Sequence, residues 1–273
     1  MPIQKLCTVA EAVRLNEFAC SLTLEAEGME PQGPDQFVHV KCGHSRLLRR
    51  PISICDWQEN LLRVVFEVRG EGTEWLSRRK AGDKLDVLGP LGRGFDVSGK
   101  KLLVVGGGIG VPPLLGCAKY AASRGGEVHA CLGFRDEGHL MLTGDFAEYC
   151  RCLHVISDDG STGRKGFVTE LVEEFLTAEA CAGDACTACC GAPARPVILA
   201  CGPRPMLKGV AALAERYARI LPMLEDMAAL SRVLEGRRRR RGALELDTRE
   251  SYVVCDESGT PVDVVLRTPG ISE

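Results

Sequence analysis

Over roughly the first ninety residues, apolar and polar positions alternate in short runs. Residues 36–41, 61–68 and 84–88 each switch sides every second position, and Gly, Pro and Asp separate them. A period of two, punctuated this way, predicts the short strands of a small antiparallel barrel. A single helix is expected to interrupt it over 73–79, with Thr73 as its N-cap. From Lys101 the pattern changes. Residues 101–105 form an unbroken apolar run that ends in Gly106-Gly107-Gly108-Ile109-Gly110. Helix-forming residues 113–124 follow, then strand 127–134, a helix around 145–150, strand 153–157, helix 168–176 and strand 196–200. Apolar strands alternating with helices predict a parallel sheet covered on both faces. The fold class read from the pattern is therefore β + α/β: an antiparallel barrel over 1–98, a parallel-sheet domain over 99–217, and an atypical tail over 218–273. In the tail, Met223, Met227, Leu230 and Leu234 share one helical face, five arginines run from Arg237 to Arg241, and residues 252–254 and 262–265 resemble two strands around a turn at 256–259.

Length and charge narrow the picture. A chain of 273 residues is long enough for two domains with their own cores. A net charge of −3 provides no general attraction to nucleic acid or anionic membrane. No apolar run approaches the ~20 residues needed to span a bilayer, and Met1-Pro2-Ile3-Gln4-Lys5 lacks the apolar core of a signal peptide. A cytoplasmic protein is expected. In that compartment the 14 cysteines are not expected to pair as disulfides. Cys7, Cys20, Cys117 and Cys131 stand alone among apolar residues and are expected to be small core residues.

Four constellations carry candidate chemistry. Arg50-Pro51-Ile52-Ser53 places a bidentate donor suited to a pyrophosphate at a strand start, with a hydroxyl nearby. Gly72-Thr73 opens the expected helix, where glycine permits close approach and the helix end favours a phosphate. Gly106 to Gly110 joins a strand to a helix, a second phosphate-type turn, although its spacing departs from G-x-G-x-x-G. Cys201-Gly202-Pro203 closes the last strand beside it, and ligands of parallel sheets bind at the carboxyl ends of the strands.

Taken together with Phe37-Val38-His39-Val40, the residues 48–56 and the residues 201–208, these motifs resemble the electron-transfer subunit of bacterial type B dihydroorotate dehydrogenase, over about residues 1–217. The resemblance implies FAD, NAD and a [2Fe-2S] cluster, beside an FMN-containing dihydroorotate dehydrogenase catalytic subunit in a heterotetramer. Electrons would pass from that FMN through the cluster and FAD to NAD+. By position it implies that Arg50, Pro51, Ile52 and Ser53 hold the flavin and that Phe66, Glu67 and Val68 flank it. Gly72 and Thr73 would take phosphate. Gly107, Gly108, Gly110, Gly202 and Pro203 would face the nicotinamide nucleotide, with Cys201 near the nicotinamide and Ser53 near the flavin ring as the two residues at the reacting centre. Flavin subunits of NADPH-dependent ferredoxin or sulfide reductases share this architecture. A chimera without catalytic activity is the reading from another class.

The family's C-x4-C-x2-C cluster segment does not follow residue 217. Instead, residues 220–273 are similar to an internal piece of the ribonuclease R catalytic domain, without that family's acidic metal-binding cluster; neither nuclease activity nor a nucleic-acid partner is expected. A plant-type C-x4-C-x2-C spacing occurs elsewhere, at Cys181, Cys186 and Cys189. These are the candidate metal ligands, with zinc or reactive thiols as the competing accounts.

Overall fold

A computed structural model describes residues 2–43, 48–95, 97, 100–183, 196–220, 252–255 and 261–267. Six strands come first: β1 (Ile3–Arg14), β2 (Ala19–Glu25), β3 (Phe37–Val40), β4 (Arg50–Gln58), β5 (Leu61–Glu67) and, after the helix α1 (Glu71–Ser77), β6 (Lys84–Leu91). They close into an antiparallel barrel in the order β1-β2-β5-β4-β3-β6. Closure removes the exposed edges that a six-stranded sheet would otherwise present. Inside lie Leu22, Leu24, Val38, Val40, Ile52, Ile54, Leu62, Val64 and Phe66, the inward members of the alternating runs.

The α/β part follows as β7 (Lys101–Gly107), a 3-10 turn (Gly108–Gly110), α2 (Val111–Ser123), β8 (Glu127–Phe134), α3 (Thr143–Tyr149), β9 (Cys152–Ser157), the two-residue β10 (Arg164–Lys165), α4 (Val168–Gly183), β11 (Val197–Cys201) and α5 (Arg204–Ile220). Parallel strands in the order β10-β9-β8-β7-β11 form the sheet. The continuous apolar runs are explained by layers on both faces. Leu102 and Val104 of β7 pack in the core shared with α2, while Leu103 and Val105 pack in the core shared with α4 and α5.

Two further strands come from the tail. β13 (Pro261–Arg267) pairs in parallel with β11, and β12 (Tyr252–Cys255) pairs antiparallel with β13. The two strands expected in the tail are therefore present, and they extend the nucleotide-type sheet rather than form a unit of their own. The Met223–Leu234 face and the arginine run lie outside the described residues. No helix among the described residues is long and apolar enough to cross a membrane.

Besides its own interior, the barrel shares a second core with the sheet. Ala19, Cys55 and Val65 of the barrel strands join Leu102, Leu114, Leu115, Cys117, Ala118 and Leu199 in one buried cluster. Beside it, Arg63 Nη1 donates to Asp145 Oδ1 at 2.5 Å and Lys119 Nζ donates to both carboxylate oxygens of Asp56 at 2.8 Å. Asn16 Nδ2 reaches the Leu140 carbonyl at 3.1 Å, and Phe18 stacks on His139 with ring centroids 4.0 Å apart.

Candidate functional site

β4 positions the first group of residues. Its alternation sends Ile52 and Ile54 into the barrel core and leaves Pro51 exposed and Ser53 half-buried on the outer face. Ser53 lies two residues before Cys55, whose carbonyl abuts α2, so the outer face of β4 at Ser53 runs towards the α/β domain. Arg49 and Arg50 divide their work. Arg49 is fixed on the barrel by Asp86, at 2.7 Å to Oδ2 and 3.0 Å to the backbone carbonyl. Among the described residues the Arg50 guanidinium has no ion-pair partner. It lies over Gly72, where an added Cβ would stand 2.7 Å from Arg50 Nε. Two motifs 22 positions apart thus meet, and glycine at position 72 makes the room for the arginine.

The helix after Gly70 begins earlier than the sequence suggested. α1 runs Glu71–Ser77 with Gly70 as N-cap, so Thr73 sits in its first turn and is not the cap. The Thr73 hydroxyl reaches back instead, accepting from the Arg69 and Gly70 amides at 2.9 and 3.1 Å. The early start follows from Glu71, an acid at the first helical position where the dipole favours it. Phe66 turns its ring into the barrel core, at 4% exposure. A flavin would therefore meet the backbone at Phe66 and not the ring. Glu67 accepts from Arg69 Nε at 2.7 Å, and Val68 packs against the barrel cluster.

The second group gathers at the carboxyl ends of β7 and β11. Here the glycines have different reasons to be glycine. A Cβ on Gly110 would come within 2.2 Å of the Cys201 carbonyl oxygen and 2.6 Å of Gly202 N. One on Gly107 would meet Met206 Sδ at 2.5 Å and Pro203 Cδ at 3.0 Å. These two positions, with Gly202 and Pro203, close the two loops on each other. Gly108 differs: it takes φ +52, and a Cβ there would meet nothing within 4 Å. Here the backbone of the loop faces open space.

The expected anion site at the start of α2 is altered in one respect. Pro112 and Pro113 stand in its first turn, and the Val111 amide is donated to the Gly108 carbonyl. The first three helical residues therefore offer no N–H to a phosphate, and the donors at this end are those of the glycine loop. Cys201 is buried at 4% exposure at the end of β11, and its own carbonyl is the atom that seats Gly110.

The metal expectation is different. None of the nine cysteines whose side chains are described is in a disulfide, and Cys7, Cys20, Cys117 and Cys131 are buried as the sequence suggested. Among the described residues no group of three or more His, Cys, Asp or Glu gathers to hold a metal. Cys181 falls in the last turn of α4, while Cys186 and Cys189 lie outside the described residues. The candidate ligand set for a [2Fe-2S] cluster thus lies largely outside the described residues. The cradle of Arg50 over Gly72 and the open face at Gly108, by contrast, fit two nucleotide cofactors.

A closed barrel with Arg50 laid over Gly72, joined to a parallel sheet with a glycine loop at its carboxyl edge, defines an FAD- and NAD-binding reductase. No protein-family profile matches the chain. It is 40% identical over 223 residues to the dihydroorotate dehydrogenase B (NAD(+)) electron transfer subunit of Bacillus caldolyticus, covering 77% of each chain. With the counterpart of Listeria monocytogenes the identity is 34% over 234 residues, 83% of this chain and 85% of the relative. The solved NADH-dependent reduced ferredoxin-NADP oxidoreductase, known for flavin-based electron bifurcation, superposes with a TM-score of 0.65 at 29% identity, over 77% of this chain and 72% of that one. The chain belongs to the family of dihydroorotate dehydrogenase B electron transfer subunits.

Proposed function

We propose that this chain carries electrons from a dihydroorotate dehydrogenase catalytic subunit to NAD+ through FAD, in the cytoplasm and in a heterotetramer with that subunit. The observation that carries the reading is the convergence of Arg50 and Gly72 at the start of β4. When bound, FAD and NAD supply the redox chemistry, exchanging two electrons and a proton as hydride between flavin N5 and nicotinamide C4.

The protein supplies the rest. Arg50 neutralises the pyrophosphate of FAD with a bidentate fork, and Gly72 leaves space for it. Ser53, on the outer face of β4, offers its hydroxyl and amide to the flavin edge on the side of the α/β domain. Gly108 admits the NAD pyrophosphate, and the Gly110–Cys201 contact holds the Cys201 thiol in fixed relation to that loop. The apolar cluster between the domains holds the two halves of the site together. None of these side chains is an acid or base in the reaction, so the protein's contribution is geometry and charge.

The test is direct. Purified protein should show a flavin spectrum that NADH bleaches under anaerobic conditions. Mixed with the catalytic subunit and dihydroorotate, it should reduce NAD+. A colourless protein that neither takes up FAD nor oxidises NADH would overturn the reading.

A further inference from the structure

One strand and one helix connect the two halves of the proposed site. β4 begins with Arg50 and Ser53 and ends against α2; α2 begins where the glycine loop stops. The contact between them depends on an irregularity. The pairing of β4 with β5 shifts register between Ile54 and Asp56, leaving Cys55 as an extra residue. A bulge of this kind re-aims the side chains around it. Here Ile54 enters the barrel core while Cys55, its neighbour, is fully buried in the cluster shared with α2.

Three further contacts lock the pair. An added Cβ on Gly116 would lie 3.1 Å from the Cys55 carbonyl oxygen and 3.3 Å from Trp57 Cζ3, so α2 rests on the backbone of β4. Asp56 accepts from Lys119 Nζ at 2.8 Å on both oxygens, with the two side chains only 23% and 29% exposed. The Trp57 amide donates to Asp56 Oδ1 at 2.8 Å, fixing the carboxylate on its own strand. Lys119 stands eight residues into α2, about 12 Å along its axis from the glycine loop. A tilt or slide at this contact therefore moves the glycine loop relative to Ser53.

We propose that the Asp56–Lys119 pair and the Gly116 seat on the bulged β4 set the separation and angle between the flavin and nicotinamide sites. Asp56 and Lys119 are positioning residues for hydride exchange, although neither is among the residues expected to contact a cofactor. This rests on the flavoprotein reading above. Near-attack geometry tolerates little error, and a displacement of about 1 Å can slow a reaction by up to ~100-fold without weakening binding.

The experiment uses the full chain, reconstituted with FAD, in anaerobic stopped flow against NADH. The unaltered chain must first bind FAD and be bleached by NADH; failure there overturns the flavoprotein reading and this inference with it. Given that result, Lys119→Met and Asp56→Asn are each expected to lower the limiting rate of flavin reduction by roughly 10- to 100-fold, with FAD content and the NADH dissociation constant kept within about twofold. Lys119→Arg, which keeps the charge and the reach, should recover most of the rate. Gly116→Ala, which lifts the helix without touching the charges, should slow the same step. Unchanged limiting rates in Lys119→Met, Asp56→Asn and Gly116→Ala would overturn the inference. So would a loss that appears only as lost FAD or weaker NADH binding, because the pair would then merely hold the fold.

Discussion

Arg50 and Gly72 show how one atom's worth of space fixes a site. The cradle works because position 72 carries no side chain where Arg50 Nε would stand 2.7 Å from it. Replacing Arg50 by Ala removes a charge-assisted contact of about 1.5–3 kcal/mol, so FAD should bind roughly 10- to 100-fold more weakly. Fluorescence titration of the apoprotein would measure it. The glycine loop offers a contrast. In Gly110→Ala the new Cβ meets backbone of Cys201 and Gly202, which no rotamer change relieves. The two loops must part, at a cost of about 1–3 kcal/mol, and a lower thermal midpoint is expected together with weaker NADH binding.

The buried cysteines set an alkaline limit. Burial pushes the Cys55 and Cys131 thiols up from an ordinary 9.0 to about 12. A folded thiol that holds its proton more tightly than the unfolded one contributes stability in full below about pH 9 and loses it as pH climbs towards 12. The unfolding midpoint should therefore fall between about pH 8 and about pH 10, and Cys55→Ala should reduce that fall. An equal fall in both proteins would contradict it.

At the scale of elements, much was legible in the pattern. Strand β8 spans the residues read as a strand, 127–134, because both its faces are covered and only His129 interrupts its apolar run after Glu127. The helix expected at 73–79 is shifted two residues earlier: Gly70 is the N-cap, and Thr73, at the third helical position, closes the cap by accepting from the Gly70 amide. β1 gave little signal: its outer half is exposed, and a register shift between Val9 and Glu11 breaks its alternation. Of the site, the motifs marked the residues but not their division of labour. Nothing local distinguishes Arg49, held by Asp86, from Arg50, or Gly108 from Gly107 and Gly110. Those differences come from partners more than 30 residues away. The Ile54-Cys55 pair, two apolar neighbours inside an alternating strand, was the one local sign of the bulge.

The tail is a matter of elements too. All five residues of β11 are buried, and the strand is hydrogen-bonded on one side by β7 and on the other by β13. Ending the chain at residue 220 would turn β11 into an apolar edge with unpaired backbone groups, a template for association. Such a truncated chain is expected to self-associate or precipitate, as light scattering would show, where the full chain does not.

Across the whole molecule, the barrel ends at Leu91 and the sheet starts at Lys101. The pattern could not show that the two parts share a core, because the residues involved, such as Ala19, Cys55, Val65 and Cys117, look like ordinary inward positions of their own elements. That shared cluster has a consequence for how such a protein can be inherited. The barrel keeps an interior of its own, but recombined with another reductase's sheet it would bring only half of the shared interface, with Cys55 and Val65 facing the wrong surface. Coding exchanges at this junction should survive only where both sides of the seam travel together, so the pair must evolve as one unit despite its two-part appearance.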